Sequence, residues 1–348
     1  MSKAVAERRL ANGLRYCFAL AALVAMPVSQ AMAAGGAPLQ VSDLRVSSDA
    51  GIELHLRNKH PAAQKRFSAQ RIVLFVHGAT FPSSSTFDVD LPGGSWMDYV
   101  AQRGYDVYAL DVRGYGGSTR PAAMSEPPEA NAPFAGTREA VRDIGAAVDF
   151  ILRRRGATQL TLIGWSWGTT TTAAFAAEQP AKVGRLVLFA PVWLGVQPPP
   201  YQGAYRTSTR ESARAFAISG IPQPRVDEIS PPANFEQWWA ATLATDPEGS
   251  RQSPAVVRSP NGVLEDFARL WAAGQPAYEP ANIRAPTLLI VGDWDVVTPP
   301  AMAQGLYDRL TQARERRLVR LSEGTHFLVI EKHRMRLLRE VQNFLDES

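Results

Sequence analysis

A short apolar run that stops at a small or polar residue recurs along this chain, and no other feature restricts its fold so tightly. Ile72-Val73-Leu74-Phe75-Val76 ends at His77-Gly78 and Tyr105 to Leu110 ends at Asp111. Leu160 to Ile163 ends at Gly164, Arg185 to Phe189 at Ala190-Pro191, Thr287 to Val291 at Gly292, and Arg317 to Leu321 at Ser322. Continuous apolar runs of this length read as strands buried on both faces, as in a parallel sheet covered by helices. Helix-like stretches separate them, over Thr137 to Arg155, Thr169 to Glu178, Pro300 to Leu310 and Glu331 to Leu345. Strand alternating with helix predicts an α/β chain with a mostly parallel central sheet flanked by helices. Ahead of the first buried run, Leu44 to Leu56 alternates apolar and polar residues around Asp49-Ala50-Gly51. That pattern predicts two short antiparallel strands and a turn, followed by a charged loop to Arg71.

One interval breaks the rhythm. Roughly 90 residues, Trp193 to Asn282, separate two of the late strands, too many for a structureless loop inside a compact domain. The stretch carries Pro198-Pro199-Pro200, Pro231-Pro232, Trp238-Trp239 and Trp271. It reads as a helical cap or lid, residues 193–282, inserted into a core made of residues 34–192 and 283–348.

The N-terminus has the composition of an export signal. Lys3, Arg8, Arg9 and Arg15 precede the apolar run Tyr16 to Val28, which leads into Ala31-Met32-Ala33. A charged start, an apolar middle and small residues at −3 and −1 predict a signal peptide over residues 1–33, cut after Ala33. The apolar run is shorter than the roughly 20 residues that span a bilayer, so a stable membrane anchor is not expected. The destination is then periplasmic or secreted, with the Arg8-Arg9 pair leaving the export route open. Removing the segment leaves 33 basic against 32 acidic residues, a formal charge of +1, and no electrostatic case for nucleic-acid binding. The one cysteine, Cys17, goes with it, so no thiol chemistry, disulfide or Cys-based metal site is expected in the remainder. No cluster of His, Asp and Glu has metal-ligand spacing, and the glycines after Asp111 do not open a helix as a dinucleotide site requires. The expected partner is a small-molecule substrate, with neither metal nor cofactor.

Gly164-Trp165-Ser166-Trp167-Gly168 lies where a buried strand meets a helix opened by Thr169 to Thr172. A sharp turn there lifts the serine oxygen above the sheet, and glycines two before and two after let backbone pack close to the turn. Ser166 is therefore a candidate nucleophile, and a serine hydroxyl needs a base, normally a histidine held by a carboxylate. The chain has five histidines. His55 falls in the N-terminal hairpin, His60 in a polar loop and His333 on the last amphipathic helix, while His77 ends a strand and shapes the next turn. His326, in a loop between the final strand and the final helix, is the one placed to reach the serine. For the carboxylate, Val291 to Pro299 offers both Asp293 and Asp295.

The chain resembles the α/β-hydrolase family. His77-Gly78, Asp111-Val112-Arg113-Gly114-Tyr115-Gly116-Gly117-Ser118, Gly164 to Gly168, Gly292-x-x-Asp295-x-x-x-Pro299 and Gly324-x-His326-Phe327 appear in the family's order and span nearly all of residues 40–348. The resemblance implies Ser166 as nucleophile, His326 as base and then acid, and Asp295 as the acid that orients the imidazole, leaving Asp293 a turn residue. It implies an oxyanion hole from the backbone N–H groups of Ala79 and Trp167, and an architectural role for Asp111 to Ser118. A serine at the elbow sets the chain apart from the relatives that use aspartate there, the haloalkane dehalogenases and epoxide hydrolases. Aromatic residues of the insertion and nearby turns, among them Phe81, Trp165, Trp238, Trp239, Trp271, Phe216 and Phe235, suggest a roofed apolar pocket. An ester, lactone or thioester with a hydrophobic part fits such a pocket. A prolyl-aminopeptidase-like peptidase would need cap acids such as Glu236, Glu265 or Asp266 to hold an amine, and a non-catalytic ligand-binding relative is the third possibility. Arg258 and Asn261 either bind a substrate carboxylate or lie in a solvated loop.

Overall fold

The computed structural model describes residues 37–195 and 197–347, so the export signal expected over residues 1–33 lies outside the described residues. From there the chain runs β1 (Leu39–Ser47), β2 (Glu53–Pro61), β3 (Ile72–Val76), α1 (Ser83–Phe87), α2 (Trp96–Ala101), β4 (Asp106–Leu110), α3 (Thr137–Arg155), β5 (Leu160–Trp165), α4 (Trp167–Glu178) and β6 (Val183–Phe189). An excursion then holds β7 (Tyr205–Thr209), α5 (Arg210–Ala217), α6 (Val226–Ile229), α7 (Pro232–Leu243), β8 (Val256–Pro260) and α8 (Gly262–Asp266). The chain returns through β9 (Thr287–Gly292), α9 (Pro300–Arg309), β10 (Arg316–Leu321) and α10 (Arg334–Asp346). Eight strands form one sheet in the order β1-β2-β4-β3-β5-β6-β9-β10. Only β1–β2 and β2–β4 pair antiparallel; the rest of the sheet is parallel. This is the mostly parallel α/β sheet that the apolar runs predict.

Every residue of β3 is buried because the strand faces two cores. Ile72, Leu74 and Val76 join the layer that holds Ile144, Val148 and Ile151 of α3 and Phe175 of α4. Val73 and Phe75 point the other way, into the layer of Met97 and Val100 from α2 and Leu337, Val341 and Phe344 from α10. The two-residue period of a strand thus becomes a sheet with helices on both faces.

The antiparallel edge is longer than the sequence suggests. β2 runs on through Arg57, Asn58, Lys59 and His60, residues that read as a charged loop, and His60 is a buried strand residue and not part of a polar loop. Partners make the difference: Asn58 donates to Asp106 Oδ1 at 2.8 Å, and Lys59 donates to Asp98 at 2.7 Å. Asp106 is in turn bonded by Arg155. Buried polar groups that are hydrogen-bonded are tolerated in a strand, and one-dimensional polarity does not reveal such pairs.

The excursion between β6 and β9 is also not purely helical. Its helices accompany a two-stranded antiparallel ribbon, β7 with β8, in which Tyr205 pairs with Pro260 and Thr209 with Val256. Arg258 belongs to this ribbon and is buried, donating to Asp246 Oδ1 at 2.6 Å and Oδ2 at 2.9 Å. Asn261 follows it, donating to the carbonyls of Gln202 and Gly203. Neither residue lies in a solvated loop: both are buried and tie the ribbon to its neighbours.

Candidate active site

The strand-to-helix junction after β5 is strained. Ser166 sits at φ 56° and ψ −125°, a region that side-chain-bearing residues avoid. Its N–H donates to Phe189 O at 3.0 Å, and its carbonyl accepts from the N–H and hydroxyl of Thr169. The flanking glycines are required by space: a Cβ at Gly164 would lie 2.3 Å from Gly168 O, and one at Gly168 would lie 2.4 Å from Val76 O. On the opposite loop, a Cβ at Gly78 would come within 3.0 Å of Ser166 Cβ. The turn therefore exists because the crossing backbones touch.

Three loops at the ends of β5, β9 and β10 bring Ser166, Asp295 and His326 together. Ser166 Oγ lies 2.9 Å from His326 Nε2, and His326 Nδ1 lies 2.9 Å from Asp295 Oδ2. Asp295 has all its acceptor positions occupied. Oδ1 receives the N–H groups of Val297 (2.9 Å) and Thr298 (2.8 Å), while Oδ2 receives the Thr298 hydroxyl (2.8 Å) and the imidazole. An ionised carboxylate in that cage holds His326 with its proton on Nδ1 and leaves Nε2 to accept from the serine. Trp165 donates from its indole to His326 O at 3.1 Å and tilts against the imidazole. Asp293 stands apart, paired with Arg320 at 3.0 Å.

The remaining histidines have other partners. His77 is buried, its Nδ1–H donating to Gly78 O at 2.7 Å and its Nε2 accepting from Val112 N–H at 3.1 Å. Burial pushes its pKa below the usual value, so it is neutral and holds the loop that follows β3. His55 spans Asp111 and Asp43. His333 precedes α10 and bonds Glu323, instead of lying within the helix. Asp111 accepts from Ser83 N–H and Gly117 N–H, and Arg113 grips Asp143 through two nitrogens. The Asp111 to Ser118 turn thus braces the sheet end.

Two backbone N–H groups flank the serine in the chain and on the neighbouring loop. Trp167 is the first residue of α4, where no intrahelical acceptor exists, and Ala79 follows Gly78. Neither N–H has an acceptor among the described residues. The Ala79 carbonyl is fixed by Tyr115 Oη at 2.7 Å and by Arg206 Nη2 at 2.6 Å, so the peptides of this loop cannot swing freely.

Around these groups lies a cleft of about 750 Å³. Phe81 and Trp165 line it as expected, together with Phe216, Leu264, Phe267 and Val192. Trp238, Trp239 and Trp271 do not. They are 0%, 6% and 0% exposed; Trp238 packs edge-on behind Phe81 at 4.7 Å and Trp271 behind Phe267 at 4.7 Å. These tryptophans are core residues that extend the two layers of the sheet, Trp271 on the α3–α4 side and Trp238 and Trp239 on the α2–α10 side, and smaller aromatics of the excursion reach the cleft. Phe235 is likewise buried against Trp238. The cap acids are engaged elsewhere: Glu236 with Arg210, Glu265 with Arg269, and Asp266 accepting from Thr137 N–H. Sequence reasoning missed Thr298, Tyr115 and Arg206. Thr298 carried a signal, the Asp-x-x-Thr spacing by which an aspartate bonds backbone and hydroxyl three residues on. Arg206 carried none.

The described residues contain no group of His, Cys, Asp and Glu arranged to hold a metal and no helix long and apolar enough to cross a membrane. In sequence the chain is 29% identical to human gastric triacylglycerol lipase over 168 residues, which is 48% of this chain and 42% of that protein. It is 27% identical to lipase member K of Mus musculus over 164 residues, 47% of this chain and 41% of that one. The matched stretches therefore span less than half the length of these curated relatives. In structure it resembles a thermophilic esterase from Thermogutta terrifontis with a TM-score of 0.55 at 17% identity, covering 87% of this chain and 98% of that chain. It also resembles a serine hydrolase involved in carbazole degradation, with a TM-score of 0.58 at 16% identity over 88% and 99% of the two chains. Likeness at that identity establishes the fold alone. Residues 68–333 match the family described as serine aminopeptidase, S33, and this chain, with its α/β-hydrolase sheet and its Ser166-His326-Asp295 array, belongs to that family.

Proposed function

We propose that the protein is a serine hydrolase that cleaves a carboxylic ester, lactone or thioester with a hydrophobic part, through an acyl-enzyme on Ser166. The observation that carries this reading is the continuous hydrogen-bond line from Asp295 through His326 to Ser166, open to a largely apolar cleft. His326 Nε2 takes the proton as Ser166 Oγ attacks the carbonyl carbon, and Asp295 stabilises the imidazolium that forms. The carbonyl oxygen becomes an oxyanion between the N–H groups of Ala79 and Trp167, at the positive end of α4. Collapse of this intermediate expels the alcohol or thiol, which receives its proton from His326. A water, deprotonated by the same imidazole, then releases the acid and restores Ser166.

Esters are favoured over peptides by what the cleft lacks. An aminopeptidase holds its substrate's ammonium with carboxylates, and among the described residues no Asp or Glu lines the cleft. Turnover of p-nitrophenyl esters of graded acyl length, measured beside proline p-nitroanilide, tests the reading. Ester turnover that Ser166→Ala abolishes is expected; hydrolysis of the anilide alone contradicts it. Export belongs to the same proposal: the charged start, apolar run and Ala31-Met32-Ala33 support a mature protein beginning at Ala34, periplasmic or secreted. N-terminal sequencing of native protein recovered outside the cytoplasm should read from Ala34, and a retained Met1 would contradict it.

A further inference from the structure

Arg206 reaches from β7 into the cleft beside the Ala79 loop and is the only arginine, lysine, aspartate or glutamate among the described lining residues. Its four Nη hydrogens go to neutral acceptors: Ala79 O at 2.6 Å and Thr80 Oγ1 at 3.0 Å on one side, Pro260 O at 2.7 Å and Asn261 Oδ1 at 3.3 Å on the other. The Nε–H has no acceptor among the described residues. Arg113, Arg155 and Arg258 pair with Asp143, Asp106 and Asp246, whereas Arg334, which does not line the cleft, donates to the carbonyls of Val329, Pro92 and Gly94; what sets Arg206 apart is its place in the cleft. Among the described residues no carboxylate pairs with Arg206. Burial depresses its pKa from the ordinary value, and the neighbouring group that opposes this is the phenol of Tyr115, itself pushed up to about 12 by burial.

A guanidinium in a largely apolar cleft, bonded to neutral acceptors, gains from an anion that shares its charge. The donor that remains, Nε–H, can make a charge-assisted hydrogen bond to one oxygen of a carboxylate. Arg206 bonds the carbonyl of Ala79, which lines the cleft with Ser166, so an anion it met would lie near the reacting carbonyl and not at the far end of an apolar tail. We propose that Arg206 is an anion-recognition residue, and that the substrate of the Ser166 site carries a carboxylate close to its scissile carbonyl in addition to an apolar part. The apolar part then lies toward Phe216, Leu264 and Phe267. This rests on the ester-hydrolase reading above.

The test compares monoethyl succinate and monoethyl adipate with their diethyl esters, following ethanol release by the full chain and by Arg206→Gln and Arg206→Lys. A hydrogen bond to a charged group is worth roughly 10- to 100-fold in an equilibrium, so the wild type should favour at least one half-ester, and Arg206→Gln should lower the half-ester to diester ratio of kcat/KM by at least roughly tenfold. Arg206→Lys should fall between them. A residue that merely fixes the Ala79 carbonyl would lower half-ester and diester alike, and an unchanged ratio overturns the proposal. If the variants do not fold, inhibition of wild-type diester hydrolysis decides: monomethyl succinate must inhibit at least roughly tenfold more strongly than dimethyl succinate, and equal inhibition overturns the proposal. Hydrolysis of neither half-ester nor diester, nor of any p-nitrophenyl ester, would sink the ester-hydrolase reading itself, a result distinct from neutral esters turned over without charge preference.

Discussion

Replacing Asp295 by asparagine keeps an acceptor for the N–H groups of Val297 and Thr298 but presents an amide to His326 Nδ1, which favours the wrong tautomer. Asp295→Asn should lose at least ~10²-fold in turnover while remaining folded by circular dichroism. Asp293→Asn should stay within about tenfold of the parent, because it removes one half-exposed pair with Arg320. Equal loss in both variants would contradict these roles. The sequence left the two aspartates open until the family's spacing to Pro299 was considered, and the cage around Asp295 gives that spacing its reason: the turn to Thr298 folds back on the carboxylate. A second buried acid acts on stability. Glu331 bonds the N–H and hydroxyl of Thr325, next to His326, and burial, with Asp295 nearby, raises its pKa to about 7 from an ordinary 4.5. The folded state then keeps a proton that the unfolded chain releases. Its contribution to stability is full below pH 4.5, falls as pH rises toward 7 and is flat above, a change on the order of 3 kcal/mol. Urea unfolding of Glu331→Gln at pH 5 and pH 8 should show that this fall has been removed; a pH slope equal to the wild type's would contradict it.

The excursion between β6 and β9 separates elements that the sequence made legible from those it hid. Its existence follows from spacing, but its β7–β8 ribbon does not, because Arg258 is buried only by virtue of Asp246, twelve residues away. The tryptophans mislead for a related reason. Large aromatics bury the most area and so join the cores on either face of the sheet, while Phe216 and Phe267 are left to meet the cleft. Trp239→Ala should therefore cost about 3 to 5 kcal/mol in denaturant unfolding and keep the parent's acyl-length optimum. Phe216→Ala should move that optimum, since each methylene accommodated or excluded is worth roughly 1 kcal/mol or more in an apolar pocket. If Trp239→Ala moves the optimum and Phe216→Ala does not, the lining has been assigned to the wrong residues.

Across the whole molecule, the interior strands were readable because burial on both faces leaves an unbroken apolar run, and the helix Thr137–Arg155 because one of its stripes meets the sheet. The β2 edge was not readable, since Asn58 and Lys59 are buried by partners distant in sequence. Ser166 and His326 were legible from the junctions they occupy. Arg206 was silent, because nothing in a lone arginine between Tyr205 and Thr207 indicates that it will line the cleft. All of these converge on Ser166, held in a strained conformation and bonded to His326. Labelling with a fluorophosphonate, followed by intact mass and peptide mapping, tests that convergence most directly. One adduct per chain, on Ser166, with ester turnover lost in proportion to labelling, is the expected result. An adduct on any other residue, or full turnover after stoichiometric labelling, would contradict the account.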